Sequence, residues 1–139
     1  MAGWYASRCL YAPDELGGLS VTQFCNALSA EGYECTPGCN LTLHTHPLFI
    51  TSDVYHHGKP TRIANAARDV REMDVGLPVS ERIGALTFSA PWFKHYRPEI
   101  IEQYANSIKK AAADYGELHK SDPGNPPQIG NWYLTHRKT

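Results

Sequence analysis

The sequence lacks an apolar run that approaches the length of a membrane-spanning helix, which needs about 20 residues. Its N-terminus has no basic segment followed by an apolar one, which is the pattern of a secretory signal. The formal net charge is only −1, too small for the basic surface that binds nucleic acid or acidic membranes. These absences predict a cytoplasmic protein that binds neither nucleic acid nor a membrane.

Cysteine is also scarce, with four residues in a chain of 139: Cys9, Cys25, Cys35 and Cys39. Because no secretory signal is present, we expect reduced thiols rather than a disulfide framework. Cys25 falls in a predicted helix, where it is typical of a core position. The length suits one domain, and a hydrophobic content of 42% is enough to build a core.

The stretch from 77 to 115 predicts a short helix, a strand, an aromatic turn and a long helix. Pro78 suits the first turn of the short helix, where a missing N–H costs little. The strand covers 86–90 and is stopped by Pro91, and Pro98 opens the long helix. Apolar residues that recur at three- and four-residue spacing predict one covered face of this helix: Ile101, Tyr104, Ile108 and Ala112.

The N-terminal part predicts strand, helix and strand. The first strand covers 4–10. Ser20 begins a capping box in which Gln23 reaches back to the Ser20 backbone. Gly32 ends the helix in the left-handed conformation, and 33–35 forms a second short strand. Four positions give the helix its inner face: Val21, Phe24, Cys25 and Leu28.

Together these elements predict an α+β fold with a small sheet of about three strands and two or three helices packed on it. Residues 36–76 are interrupted by proline and glycine and form an irregular connection. We assign residues 1–120 to one domain. Residues 121–139 form a linker and a C-terminal tail, which carries Trp132 and Tyr133 as a candidate cover for apolar surface.

Several motifs carry a resemblance to a known family. The runs PVSERIG and SAPWFKHYRPEIIEQYANSIKKAA, together with GYEC, LTLHTHPLF and HGKPTRIAN upstream, occur in the order of the C-terminal end of the DegT/DnrJ/EryC1/StrS family. Members of this family are sugar aminotransferases that depend on pyridoxal phosphate (PLP). The resemblance covers roughly residues 3 to 115 and implies the small C-terminal domain of a fold-type I PLP enzyme.

The resemblance implies a fragment or split form that is not catalytic alone. In that family the large N-terminal domain supplies the PLP site and the Schiff-base lysine. None of the six lysines here lies in a comparable context. We therefore assign no catalytic residue and expect PLP only if a large-domain polypeptide completes the site. The alternative is a self-standing binding or assembly module that hides its apolar surface in a homo-oligomer.

Two histidine-containing segments are candidate binding sites. His44 and His46 point to the same side if their segment is extended, and the resemblance implies that one of them lies near cofactor and substrate. The alternative is that both are loop histidines whose side chains hydrogen-bond to the backbone. His57, Lys59 and Arg62 form a locally basic cluster that could bind an anion, or could simply be a solvated loop.

A zinc site is a further alternative, with Cys35, Cys39, His44 and His46 as ligands. Two thiolates and two imidazoles within twelve residues are the ligand types of tetrahedral zinc. The spacing differs from that of a standard zinc finger.

The aromatic turn, Pro91 to Tyr96, offers two interpretations. We predict that Trp92 and Phe93 are largely buried, because a turn between two core elements usually places its bulkiest side chains beneath the helix it begins. The alternative is an exposed recognition surface, since tryptophan and tyrosine favour binding hot spots.

Overall fold

The computed structural model describes residues 7–46, 76–93 and 95–131. In this part of the chain the fold is α+β, as predicted. It contains four short strands: β1 (Ser7–Leu10), β2 (Cys39–Asn40), β3 (Thr87–Ala90) and β4 (Gly130–Asn131). It also contains four α-helices: α1 (Val21–Ala30), α2 (Pro78–Arg82), α3 (Pro98–Ala113) and α4 (Tyr115–Leu118).

The strands pair in two separate two-stranded sheets. β1 runs antiparallel to β3, with Ser7 opposite Ala90 and Leu10 opposite Thr87. β2 runs parallel to β4, so Cys39 lies opposite Gly130. The second sheet joins the two halves of the chain, because its strands lie far apart in sequence. None of the described helices is both long enough and apolar enough to cross a membrane.

Helix α1 supplies most of the core. Its four predicted inner residues, Val21, Phe24, Cys25 and Leu28, are all buried. The ring of Phe24 stacks 5.1 Å from Tyr11 and meets Phe88 edge-on at 5.8 Å, measured between ring centroids. These contacts tie α1 to β3 and to the segment after β1.

The N-terminus of α1 confirms half of the predicted capping box. Ser20 is the N-cap, and its Oγ accepts the backbone N–H of Gln23 at 3.0 Å. The predicted return contact from Gln23 is wrong, because the Ser20 N–H instead donates to Asp122 Oδ2 at 2.8 Å. Asn125 Oδ1 accepts the N–H of Thr22 at 3.2 Å. The first turn is therefore capped by the segment that the sequence marks as a linker.

The predicted strand at 33–35 is wrong, because Tyr33 lies in the turn that caps the C-terminus of α1. Gly32 has φ of 82°, as its predicted role requires. Its N–H donates to Ser29 O at 3.1 Å, and the Tyr33 N–H donates to Leu28 O at 3.0 Å. This is a Schellman motif, which satisfies the last carbonyls of the helix. The chain reaches β3 at Thr36, whose carbonyl oxygen accepts the Ser89 N–H at 2.9 Å, and at Pro37, which forms an isolated bridge with Phe88.

Helices α2 and α3 begin at Pro78 and Pro98, as predicted. The covered face of α3 differs from the prediction near its start. Ile101 is 42% exposed, whereas Ser107 and Ala111 are buried. Tyr104 packs its ring 4.8 Å from that of Tyr33. The buried positions of α3 thus lie beyond Tyr104, and in its first turns Ile100 is half-buried.

Candidate functional site

A histidine and a glutamate from two distant segments meet at the surface. His44 lies in a 3-10 turn, Leu43–Thr45, and its Nε2 is 2.9 Å from Oε1 of Glu81 on α2. The side chain of His44 is 20% exposed and that of Glu81 is 45% exposed. The pair is therefore accessible, while the imidazole is mostly enclosed.

The turn that carries His44 is held by threonine side chains. Thr45 Oγ1 donates to Thr42 O at 2.8 Å and lies 3.0 Å from Thr42 Oγ1. These local contacts fold the segment, since threonine hydroxyls bond readily to nearby backbone. The segment is a turn at His44, so the extended conformation that would point His44 and His46 to the same side is not present. His46 follows the turn as its C-cap, and its N–H donates to Leu43 O at 3.0 Å.

Glu81 is held in place from its own helix. Its Oε1 accepts the backbone N–H of Leu77 at 2.9 Å. This hydrogen bond, followed by the one with His44, lowers the pKa of Glu81. The carboxylate is thus ionised at neutral pH and acts only as an acceptor. His44 must therefore donate its Nε2–H to this carboxylate.

A polar pocket of about 250 Å³ adjoins this pair. Three segments build it: the stretch from β2 to the 3-10 turn, helix α2 with the turn after it, and the residues before β4. Its hydrogen-bonding side chains are Asn40, Thr42, Thr45, Ser80, Glu81 and Gln128. Hydroxyls, amides and a carboxylate at close quarters suit a ligand rich in hydroxyl groups.

Gly84 brings two of these segments together. It is buried, and a Cβ at this position would lie 2.7 Å from the backbone oxygen of Ile129. That distance is too short for any other residue, so glycine is what allows the stretch before β4 to close the pocket. Ile129 also packs against the core.

The four proposed zinc ligands do not come together. Throughout residues 7–46, 76–93 and 95–131, which contain all four, no group of three or more His, Cys, Asp or Glu could hold a metal. Cys35 contacts Cys25, Cys39 Sγ lies 3.4 Å from Asn40 O, and His44 contacts Glu81. The described residues therefore give the zinc alternative no support.

Two other predicted features lie outside the described residues. These are the basic cluster of His57, Lys59 and Arg62 and the aromatic pair of Trp132 and Tyr133.

The aromatic turn corrects a prediction. Trp92 is 62% exposed and Tyr96 is 82% exposed, so the predicted burial of Trp92 is wrong. Phe93 is 36% exposed, with its ring 6.3 Å from that of Tyr104. The reason is that the first turns of α3, including Ile101, are themselves exposed. These turns do not cover Trp92 or Tyr96, whereas Phe93 meets the helix at Tyr104.

Sequence reasoning did not single out Glu81 and Gln128. Glu81 lies within the PVSE run, and its place in a helix that begins with a proline is the signal that its carboxylate could reach back to the preceding backbone. Gln128 carries no such signal, because only the pairing of β2 with β4 brings it to the pocket.

No protein-family model matches this chain, and neither a curated protein nor a solved structure does.

Proposed function

We propose that this chain is the small C-terminal domain of a PLP-dependent sugar or cyclitol aminotransferase of the DegT/DnrJ/EryC1/StrS type. It acts in the cytoplasm with a large-domain polypeptide that carries PLP and the Schiff-base lysine. In this role it forms one wall of the active site and contacts the sugar.

The observation that carries the proposal is the His44–Glu81 contact. His44 comes from the LTLHTHPLF run and Glu81 from the PVSERIG run, two of the segments on which the resemblance depends. They are 37 residues apart in sequence, and their side chains meet at 2.9 Å. Motifs that converge on one site support a shared role better than their order alone.

The pocket beside this pair supports a sugar or cyclitol as the ligand. Its hydroxyl and amide side chains can both donate and accept, as a ring of hydroxyl groups requires. Its volume of about 250 Å³ is below the usual range for a complete drug-sized ligand. It would therefore hold one part of a substrate, with the remainder contacted by the large domain.

The described lysines do not fit a Schiff base with PLP. Lys110 pairs with Glu31 and Lys120 pairs with Glu117, all on exposed helix surface, and Lys109 is exposed as well. A Schiff-base lysine needs an enclosed site that lowers its pKa. The proposal accordingly assigns PLP and its lysine to the large domain.

Absorbance spectroscopy tests this assignment. The purified chain is mixed with PLP, dialysed and scanned across the aldimine band. We expect no bound chromophore after dialysis. A stable internal aldimine would contradict the assignment of the lysine to another polypeptide.

Reconstitution tests the role of the pair. A large-domain polypeptide encoded beside this chain is co-purified with it, and transamination of a keto-sugar is followed. We expect activity only in the mixture, and a loss of about tenfold or more in kcat/KM for His44→Ala, because a positioned contact in the transition state is removed. Lys109→Ala, which alters an exposed residue of α3 outside the aromatic turn, is the control. Equal effects of the two changes would contradict the proposal.

A second candidate function is a self-standing assembly module. The exposure of Trp92, Tyr96 and Val79, at 62%, 82% and 82%, favours it, since large apolar side chains at a surface are typical of interaction sites. Sedimentation of the full chain beside Trp92→Ala tests it. A homo-oligomer that dissociates in the variant would support this function, whereas a monomeric parent chain would exclude it.

A further inference from the structure

Three thiols gather at one end of the core, away from the pocket beside His44. Cys25 lies on α1 and is 2% exposed, while Cys9 on β1 and Cys35 after α1 are half-buried against the same core. Cys35 Sγ lies 3.8 Å from the carbonyl oxygen of Cys25. Its S–H donates to that carbonyl, so Cys35 lies directly against the backbone of Cys25.

Only one member of this pair faces solvent. Cys35 lines a surface pocket of about 520 Å³ together with Ser29, Tyr33, Glu34, Thr36 and Ser89. Cys25 does not line this pocket and lies beneath it in the core. A small molecule that enters the pocket thus meets the sulfur of Cys35 first.

The surroundings of the two sulfurs make them chemically unequal. The neighbouring thiol of Cys25 lowers the pKa of Cys35, burial opposes this change, and the hydroxyl of Ser29 adds to the lowering. The neighbouring thiol of Cys35, followed by burial, raises the pKa of Cys25. Cys35 is consequently the member that ionises first, and the thiolate is the nucleophilic form of cysteine.

We propose that Cys35 and Cys25 form a peroxide-reactive thiol pair, in which Cys35 is oxidised from the surface pocket and Cys25 resolves it from the core. The Cys35 thiolate attacks a hydroperoxide. An S–O bond forms, the O–O bond breaks, and the leaving oxygen takes a proton to become water or an alcohol. The sulfur of Cys25 then attacks the Cys35 sulfenic acid. An S–S bond forms, and the departing hydroxide takes the proton of Cys25 and leaves as water.

The balance of the two steps is one hydroperoxide reduced by two electrons and two thiols oxidised to one disulfide. Only ten residues separate the two cysteines. Because Cys35 Sγ already lies against the backbone of Cys25, the bond closes across the Schellman motif that ends α1. It also removes the sulfenic acid before further oxidation to the irreversible sulfinic acid.

The test uses the full reduced chain and hydrogen peroxide. Peptide mass mapping after exposure is expected to show one intramolecular disulfide between Cys25 and Cys35, which dithiothreitol reverses. Cys25→Ala keeps the small apolar volume and is expected to leave a Cys35 sulfenic acid that dimedone traps. Cys35→Ser is expected to abolish both products. Cys39→Ser, which changes the thiol outside the cluster, is the matched control and is expected to behave as the parent chain.

A second measurement does not depend on the variants. Iodoacetamide at neutral pH is expected to alkylate Cys35 faster than Cys9 by about tenfold, since alkylation follows the fraction of thiolate. Equal alkylation of Cys9 and Cys35 would overturn the proposal. So would a parent chain that keeps four free thiols in peroxide, or a disulfide that joins Cys9 instead of Cys25.

Discussion

Helix α1 and the aromatic turn are both rich in large apolar side chains, but those of α1 are buried and those of the turn are exposed. Phe24 and Leu28 of α1 are 3% and 0% exposed, whereas Trp92 and Tyr96 of the turn are 62% and 82% exposed. Helix α1 is packed against β3 and α3 and capped from a distant part of the chain. The start of α3 gives the turn no such cover. The comparison shows that apolar residues mark a core only where another element lies over them.

The largest expected loss of stability is at the centre of α1. Phe24→Ala removes a ring that contacts both Tyr11 and Phe88, so we expect a loss of about 3–5 kcal/mol in the free energy of unfolding. Urea denaturation measures it. Tyr96→Ala is the control, because it removes an aromatic ring that is 82% exposed. Equal losses for the two variants would contradict the difference in burial between α1 and the aromatic turn.

A smaller loss of stability is expected at Gly84, which lets the stretch before β4 close the pocket. Gly84→Ala places a methyl group 2.7 Å from the backbone oxygen of Ile129, which should cost about 1–3 kcal/mol and displace the stretch before β4. Thermal unfolding and hydrogen exchange at 128–131 measure both results. Gly116→Ala is the matched control, because a Cβ there meets nothing within 4 Å. A Gly84→Ala chain as stable as Gly116→Ala would contradict the close approach.

The next largest loss of stability is expected at the N-terminal cap of α1. Asp122→Asn weakens the acceptor for the Ser20 N–H and hydroxyl, and we expect a loss of about 0.5–2 kcal/mol, the usual range for an N-cap. Asp114→Asn is the control, because Asp114 is exposed and does not cap the N-terminus of α1. Chemical denaturation compares the two.

The same aspartate gives the cap a defined dependence on pH. Burial alone would raise the pKa of Asp122, but hydrogen bonds from Ser20 and Gly124 outweigh it and lower the pKa below 3.8. A group with a lowered pKa in the folded state stabilises above its unfolded pKa and loses that contribution as pH falls through the folded value. The difference between the parent chain and Asp122→Asn should therefore be full at neutral pH and shrink below about pH 4. A difference that grows toward acid would contradict this sign.

The smallest expected effect on stability is in the aromatic turn. Trp92→Ala should change the free energy of unfolding by less than about 0.5 kcal/mol, as is typical of an exposed position. Binding to a large-domain polypeptide, or self-association, should weaken instead, because exposed tryptophan is common at hot spots. Calorimetry of unfolding and a binding titration separate the two results. A loss above about 2 kcal/mol would mean that Trp92 belongs to the core.

Features set by neighbouring residues were predictable from the sequence. The starts of α2 and α3 at Pro78 and Pro98, the N-cap at Ser20 and the left-handed Gly32 all depend on contacts within a few residues. The inner face of α1 was likewise predictable from its periodicity.

Features set by distant partners were not. The cap from Asp122 is 102 residues from Ser20, and β2 finds its partner in β4. The candidate site divides in the same way. His44 was identified by its residue type and its motif, whereas Glu81 and Gln128 join it through folding. Trp92 was misassigned because the pattern showed an apolar turn and could not show that the start of α3 is uncovered.

The contact between Ser20 and Asp122 also has a consequence for biosynthesis. Ser20 is translated well before the carboxylate that receives its N–H, and the two are 102 residues apart. At ribosomal speeds this separation corresponds to roughly 5–20 s of elongation. During that interval the nascent α1 lacks its distal acceptor and exposes the side chains that later form the core. Asp122 can cap the helix only after this interval, so a chaperone that binds apolar nascent segments would meet α1 before its first turn is capped.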